Sequence, residues 1–160
     1  LPRFDTGGQE HDVWEADFDP RMYKLTKRNA FGLFPVPDLA TGAMGSRPAL
    51  PSEYLDRLDL QNAVFGDDNS LEGIALSDTG AIFTVTSQPY IEGRAASPSE
   101  IARLMMRSGF DLFDEALGAW IRPADQIAIL DALPRNVVRD SAGRILPIDL
   151  VMGRYFLANA

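Results

Sequence analysis

The stretch Asp131-Ala132-Leu133-Pro134-Arg135-Asn136 decides the reading of this chain, together with the residues from there to Asp149. Val137-Val138-Arg139 comes next, then a turn over Asp140-Ser141-Ala142-Gly143, then Arg144-Ile145-Leu146-Pro147-Ile148-Asp149. Two short apolar runs across a polar turn ending in glycine predict a hairpin. The returning run ends on Asp149, so the fold-back brings a second carboxylate beside Asn136. An aspartate and an asparagine at this spacing suit phosphoryl transfer. The aspartate accepts the proton of an attacking hydroxyl, and the asparagine oxygen ligates magnesium. The pair alone says little in a chain with 16 Asp and 5 Asn. On local sequence alone, Asp131 also reads as a turn cap and Asp149 as an exposed strand-end residue. The returning hairpin is what adds weight to the first reading.

Working back from this block, Ser97-Pro98-Ser99-Glu100 is a helix start, with Ser97 as cap, proline in the first turn and glutamate three residues on. That helix runs to about Arg107, and Gly109 closes it. Residues 119–121 and 127–130 read as strands, as do 71–76 and 81–86 across Ser77-Asp78-Thr79-Gly80. Pro51-Ser52-Glu53 opens a helix that Gly66 ends, with Tyr54, Leu55, Leu58, Val64 and Phe65 as its apolar face. Asp67-Asp68-Asn69 lacks the alternating ligands and the glycine of a calcium loop, and reads as a solvated turn. Residues 31–51 hold prolines 35, 37, 48 and 51 with glycines 32, 42 and 45, which predicts loop. Val13–Ala16 and Met22–Thr26 predict a further hairpin. Trp14, Trp120 and the Met105-Met106 pair read as core. There is no internal repeat. Leading strands and segregated helices predict an α+β fold.

Composition narrows the chemistry. The chain has 160 residues, a net charge of −8 and 46% hydrophobic residues. That describes a folded domain, and its acidity disfavours a nucleic-acid partner held through phosphates. Without cysteine there is no thiolate metal site, iron–sulfur cluster or cysteine nucleophile in this chain. With His11 as its one histidine, any metal is expected on oxygen ligands, which favours magnesium, calcium or manganese. No apolar run approaches the ~18 residues of a membrane span, and no leader pattern stands at the start. No membrane partner and a cytoplasmic setting are therefore expected. The chain opens on Leu1 and not methionine, as expected of a processed chain or a piece of a longer protein.

Thirteen of the basic residues are arginine and only Lys24 and Lys27 are lysine, so a lysine within a strand draws attention. A kinase-type site needs a glycine turn over the phosphates, a strand lysine reaching them and a helix carboxylate holding that lysine. Gly7-Gly8, Lys24 and Glu53 occur in that order. Each has an ordinary reading as a turn, a solvent-facing lysine and a helix-dipole partner. Their sequence along the chain, ending in Asp131, Asn136 and Asp149, is what counts. Ser87-Gln88-Pro89-Tyr90 sits where a hinge between lobes would lie, with backbone to offer an adenine edge. His11, beside the glycine turn, has two readings, a phosphate contact and a lone exposed histidine, and the exposed one is expected.

Several runs also carry a family resemblance: Tyr54-Leu55-Asp56-Arg57-Leu58 with Gln61 to Asp68, Val85 to Gly93, Asp131 to Asn136, and Pro147-Ile148-Asp149-Leu150. Together they resemble the compact kinase-like domains of polyvalent proteins from phages and conjugative elements. The terminal block is also similar to aminoglycoside phosphotransferase-like kinases. The resemblance implies a reduced bilobal kinase-like fold, with a β-rich lobe in 1–89 and a small second lobe in 90–160. It implies ATP and Mg2+ as cofactors and an unnamed hydroxyl as phosphate acceptor. Asp131 would be the catalytic base, Asn136 and Asp149 the metal ligands, and Lys24 the phosphate-binding residue. Glu53, or Gln61 on the same helix, would partner that lysine. Two functions are compatible with it: a phosphotransferase, or a catalytically silent kinase-like binding module within a larger polyvalent protein.

Overall fold

Strand alternation at the N-terminus builds a sheet whose two faces do different work. The computed structural model describes residues 3–5, 10–16 and 19–156, so Gly7 and Gly8 lie outside the described residues. The first elements are β1 (Arg3–Asp5), β2 (His11–Glu15), β3 (Arg21–Thr26), β4 (Leu33–Asp38), β5 (Ala43–Pro48) and α1 (Pro51–Phe65). Next come β6 (Ser70–Leu76), β7 (Ile82–Pro89), β8 (Gly93–Ala95) and α2 (Pro98–Arg107). The remainder is β9 (Asp111–Asp114), β10 (Ala119–Arg122), β11 (Ile127–Leu130), β12 (Val137–Asp140), β13 (Ile145–Pro147) and β14 (Val151–Arg154). A chain that is mostly strand with two separate helices is compatible with the expected α+β class.

The first sheet has the order β1-β2-β3-β7-β6. Its register sets Val13 opposite Lys24, Lys24 opposite Thr86, and Met22 opposite Gln88. Directly opposed residues share a face. His11, Val13, Met22, Lys24, Thr26, Thr86 and Gln88 therefore all lie on one face, the inner one. Helix α1 covers one end of it, where the Tyr54 hydroxyl meets His11 Nε2 at 3.0 Å and Thr86 Oγ1 at 3.4 Å. On the outer face Trp14 stacks on Tyr23 at 6.0 Å.

Two further sheets run β14-β11-β10-β9 and β13-β12-β8. Their pairings place the loop ends together. Leu130 opposes Val151, so Asp131 and Leu150 step off adjacent strand ends. Val137 opposes Pro147, so Asn136 and Ile148 do the same, and Ile148 N–H donates to the Asn136 carbonyl at 2.8 Å. Beneath them lies the core. Ile101 and Met105 of α2 pack with Phe110, Trp120, Ile129 and Met152.

Residues 31–51 depart from the loop expectation: β4 and β5 form a two-stranded ribbon, with Pro35 opposite Ser46 and Pro37 opposite Met44. Prolines two apart lack their N–H groups on the same side. A two-stranded ribbon leaves that side unpaired anyway, so the ladder survives. The apolar face assigned to α1 is corrected in part: Tyr54 is buried and Val64 and Phe65 pack against the core, whereas Leu55 is exposed and Arg57, Leu60 and Gln61 are buried. Met105 is core, but Met106 beside it is 62% exposed.

Candidate active site

A cleft of about 960 Å3 opens between the inner face of the first sheet and the strand ends that carry Asp131, Asn136 and Asp149. Val13, Met22, Lys24 and Gln88 form one wall, and Leu133, Ile148 and Val151 contribute to the other. Tyr90 and Ile91 border it as well.

Lys24 crosses this space. Its Nζ donates to the Ile148 carbonyl at 2.6 Å and lies 3.4 Å from Asp149 Oδ1, and the side chain is only 12% exposed. The lysine is therefore directed inward, not to solvent. Residues from opposite ends of the chain meet because the strand register turns one inward and the Leu130–Val151 pairing delivers the other.

Glu53 is not brought to Lys24. Its carboxylate is held by both Arg47 guanidinium nitrogens, at 2.9 and 2.7 Å, and by the Leu50 N–H at 2.9 Å. It closes the first turn of α1. Gln61 is turned toward Asp67, at 2.6 Å, and so is not the partner either. One turn beyond Glu53, the same helix places Arg57 in the site. The Arg57 guanidinium is 4% exposed and donates to Asp149 Oδ1 at 2.9 Å and to both Glu10 oxygens at 3.1 Å. His11 is buried, contrary to the exposed position expected for it, and its Nδ1 stands 3.7 Å from Asp149 Oδ2. Burial opposes ionisation of the Asp149 carboxyl. The adjoining Lys24 ammonium, then His11 and Arg57, outweigh burial and hold its pKa well below the usual range.

Glu10, His11 and Asp149 present possible ligand atoms within 4.8 Å of one another. Arg57 and Lys24 already balance the two carboxylates there. A dication would join this trio only alongside further negative charge, such as phosphate. Asn136 offers a different donor. Both of its amide hydrogens are engaged, by Asp131 O at 2.9 Å and Asp131 Oδ2 at 2.8 Å, which leaves its side-chain oxygen for a cation. Asn136 Oδ1 with an Asp149 carboxylate oxygen makes an all-oxygen set that fits Mg2+.

Asp131 sits at φ +67°, in the left-handed region, which costs a non-glycine residue about 1–2 kcal/mol. Its N–H donates to Leu117 O at 3.1 Å and the Ala132 N–H to Gly118 O at 3.0 Å, and these bonds hold the conformation. Gly118 is required for this. It adopts φ +58°, and a Cβ there would lie 2.8 Å from Ala132 backbone atoms. Besides Asn136, Arg135 pairs with the Asp131 carboxylate. Burial pushes this carboxyl up, with the charges of Asp149 and Glu10 adding to it, against the pull of Arg135 and Asn136. The two aspartates are thus shifted in opposite directions, one toward a base and one toward a fixed anion.

Residues 47–154, more than half of the chain, match the family model described as the serine/threonine/tyrosine kinase found in polyvalent proteins. The chain belongs to this family. No curated protein and no solved structure matches it. The part matching the polyvalent-protein kinase model contains Arg57, Gln88, Asp131, Asn136 and Asp149. Glu10, His11 and Lys24 precede it.

The expected hinge differs in detail. Ser87, Gln88 and Pro89 pair with β3, and the Tyr90 N–H donates to Pro20 O at 2.9 Å. The Ser87 hydroxyl lies on the outer face, between Arg21 Nε at 2.7 Å and Glu72 Oε1 at 2.5 Å. The side chain of Gln88, not that of Ser87, faces the cleft. Arg57 and Glu10 escaped the sequence reading, which places His11 in an exposed position, although Arg57 and Gln61 share the helical spacing of Tyr54. Polar residues in step with a buried aromatic are the signal that marks them.

Proposed function

We propose that this chain is a kinase-like phosphotransferase that binds Mg-ATP in the cleft and transfers its terminal phosphoryl group to a hydroxyl acceptor. The observation that carries this reading is Lys24 reaching Asp149 across the same cleft that Asp131 and Asn136 enter. The proposed arrangement is bilobal, with residues 1–89 above the nucleotide and 90–160 below. Lys24 neutralises phosphate oxygens. Asn136 and Asp149 hold Mg2+, which supplies charge for the phosphates. Asp131, made more basic by its surroundings, takes the acceptor proton. The acceptor oxygen then bonds to the terminal phosphorus, and the bridging bond breaks with its electron pair leaving on ADP.

One feature favours the second reading, a silent binding module. Arg57 already engages Asp149 Oδ1, and Arg135 engages Asp131. Calorimetric ATP titrations with and without Mg2+, followed by ATP turnover, separate the two. A phosphotransferase binds ATP in a Mg2+-dependent way, and Asp131→Asn lowers turnover by about 100- to 10,000-fold while binding persists. Nucleotide binding without any Asp131-dependent turnover supports the module. Absence of binding in the wild-type chain rejects both nucleotide readings.

A further inference from the structure

Two carboxylates and a histidine nitrogen converge at the α1 end of the cleft, where Glu10, His11 and Asp149 each bring one ligand atom within 4.8 Å of the others. His11 is 4% exposed. Its Nε2 meets the Tyr54 hydroxyl at 3.0 Å, whereas its Nδ1 is buried and has no hydrogen-bond partner among the described residues. That nitrogen faces Asp149 Oδ2 at 3.7 Å, too far for a hydrogen bond. Native structures rarely leave a buried polar atom so, and a ring held at one nitrogen with the other free is the arrangement of a metal-ligating histidine. Among these donors stands a cation of the chain's own. Arg57 Nη2 lies 3.1 Å from Glu10 Oε2 and 2.9 Å from Asp149 Oδ1, bridging the two carboxylates as a metal ion would. The bridge is built in: Arg57 Nη1 reaches Glu10 Oε1 at 3.1 Å, and the same oxygen accepts the Leu33 N–H at 2.6 Å. Gly32, at φ +74°, keeps room for the pair, since a Cβ there would lie 2.8 Å from Glu10 Oε1 and 3.0 Å from Arg57 Nη1.

We propose that Arg57 is a resident counter-ion in the divalent-cation position between Glu10, His11 and Asp149, so that metal enters this cleft only together with the phosphates of a nucleotide. The inference rests on the nucleotide reading of the cleft. With Lys24 beside Asp149 Oδ1 at 3.4 Å, Arg57 and Lys24 balance the charges of Glu10 and Asp149. A dication entering alone adds two uncompensated charges to a largely buried cluster, which is costly. Arriving on a triphosphate, it comes with more negative charge than its own. Taking the positive charge off residue 57 turns the trio into a metal site that needs no nucleotide.

The test follows Mn2+, a paramagnetic ion suited to carboxylate oxygens, by water-proton relaxation in the purified chain without and with ATP. The wild-type chain is expected to take up Mn2+ with ATP and not without it. Arg57→Met is expected to bind Mn2+ in the absence of ATP at least about 10-fold more tightly than wild type, whereas Arg57→Lys keeps the charge and excludes it. Because Arg57→Met is destabilised, its urea midpoint gives a second reading: Mn2+ alone is expected to raise it while leaving that of wild type unmoved. An arginine with a merely structural role gives no such gain. Nucleotide-free Mn2+ binding by the wild-type chain as tight as that of the ATP complex overturns the proposal without needing any variant to fold. So does an Arg57→Met chain that gains neither Mn2+ binding nor Mn2+-dependent stability, or an Arg57→Lys chain that binds Mn2+ as Arg57→Met does. If ATP does not bind the wild-type chain, the nucleotide reading falls and takes this inference with it. Any of the other failures, with ATP still bound, overturns this inference alone.

Discussion

Arg47, Pro51, Ser52 and Glu53 at the start of α1 stand in the same spacing as Arg94, Pro98, Ser99 and Glu100 at the start of α2. Each arginine forks onto its glutamate, at 2.9 and 2.7 Å in the first case and at 3.0 and 2.9 Å in the second. Each glutamate also accepts the N–H of the residue before the proline, Leu50 or Ser97, at 2.9 and 2.8 Å. The local device is the same, and the helices behind it differ. Helix α2 buries Ile101 and Met105 and belongs to the core. Helix α1 buries Arg57 and Gln61 beside Tyr54 and Leu60, and so carries charge into the cleft. A glutamate in the first turn is thus an end-of-helix fitting in both places. The group that acts on the site lies a turn further along, where only one helix has an arginine.

The strongest way to break this contrast is Arg57→Met. It removes a buried cation from Glu10 and Asp149, and is expected to cost about 3–5 kcal/mol in urea unfolding at neutral pH. A loss under about 1 kcal/mol would mean that α1 carries no buried charge anchor. Met105→Ala probes the other helix. It opens a cavity in the core and is expected to cost about 2–5 kcal/mol. Nucleotide affinity of the folded variant should stay within about twofold, since Met105 does not line the cleft. A large loss of affinity there would erase the division of labour between the helices.

The smallest effects sharpen the comparison. Both capping carboxyls are held below the usual range, foremost by the arginine hydrogen bond, and Glu100 is shifted farther, with a second guanidinium, Arg139, also reaching it. A depressed folded pKa contributes stability that is present above the unfolded value of about 4.3 and is lost as pH falls through the folded value. Acid titration of unfolding free energy from about pH 5 downward should therefore show a shallower decline in Glu100→Gln than in wild type. Glu53→Gln should flatten it less and cost about 0.5–1 kcal/mol at neutral pH. It should leave nucleotide affinity unchanged. Abolished binding in that variant would return Glu53 to the site.

What could be read from residues alone was local. Pro98 after Ser97, Gly66 after Phe65, the turn at Asp140–Gly143 and the Asp131–Asn136 loop each act over a few neighbours, so their signals lie within a few positions. The kinase family was legible in the same way, from contiguous runs. The ribbon of β4 and β5 was hidden because proline content argues for loop unless the unpaired side of the ladder is known. β14, packed against β11, falls at a chain region whose pairing depends on a strand well before it in the sequence.

The amino-acid sequence by itself determined where helices begin and end, which loop carries the aspartate and asparagine, and to which family the chain belongs. Tertiary structure alone decided that Lys24 meets Asp149, that Arg57 and not Glu53 enters the cleft, and that Gln88 turns inward while Ser87 turns out. The reason is physical. Capping and turn preferences are set by bonds within one or two turns of chain. The charge balance around Asp149 is set by groups on three separate elements, and the part that strands supply depends on register, where a shift of one residue would turn Lys24 and His11 to the opposite face.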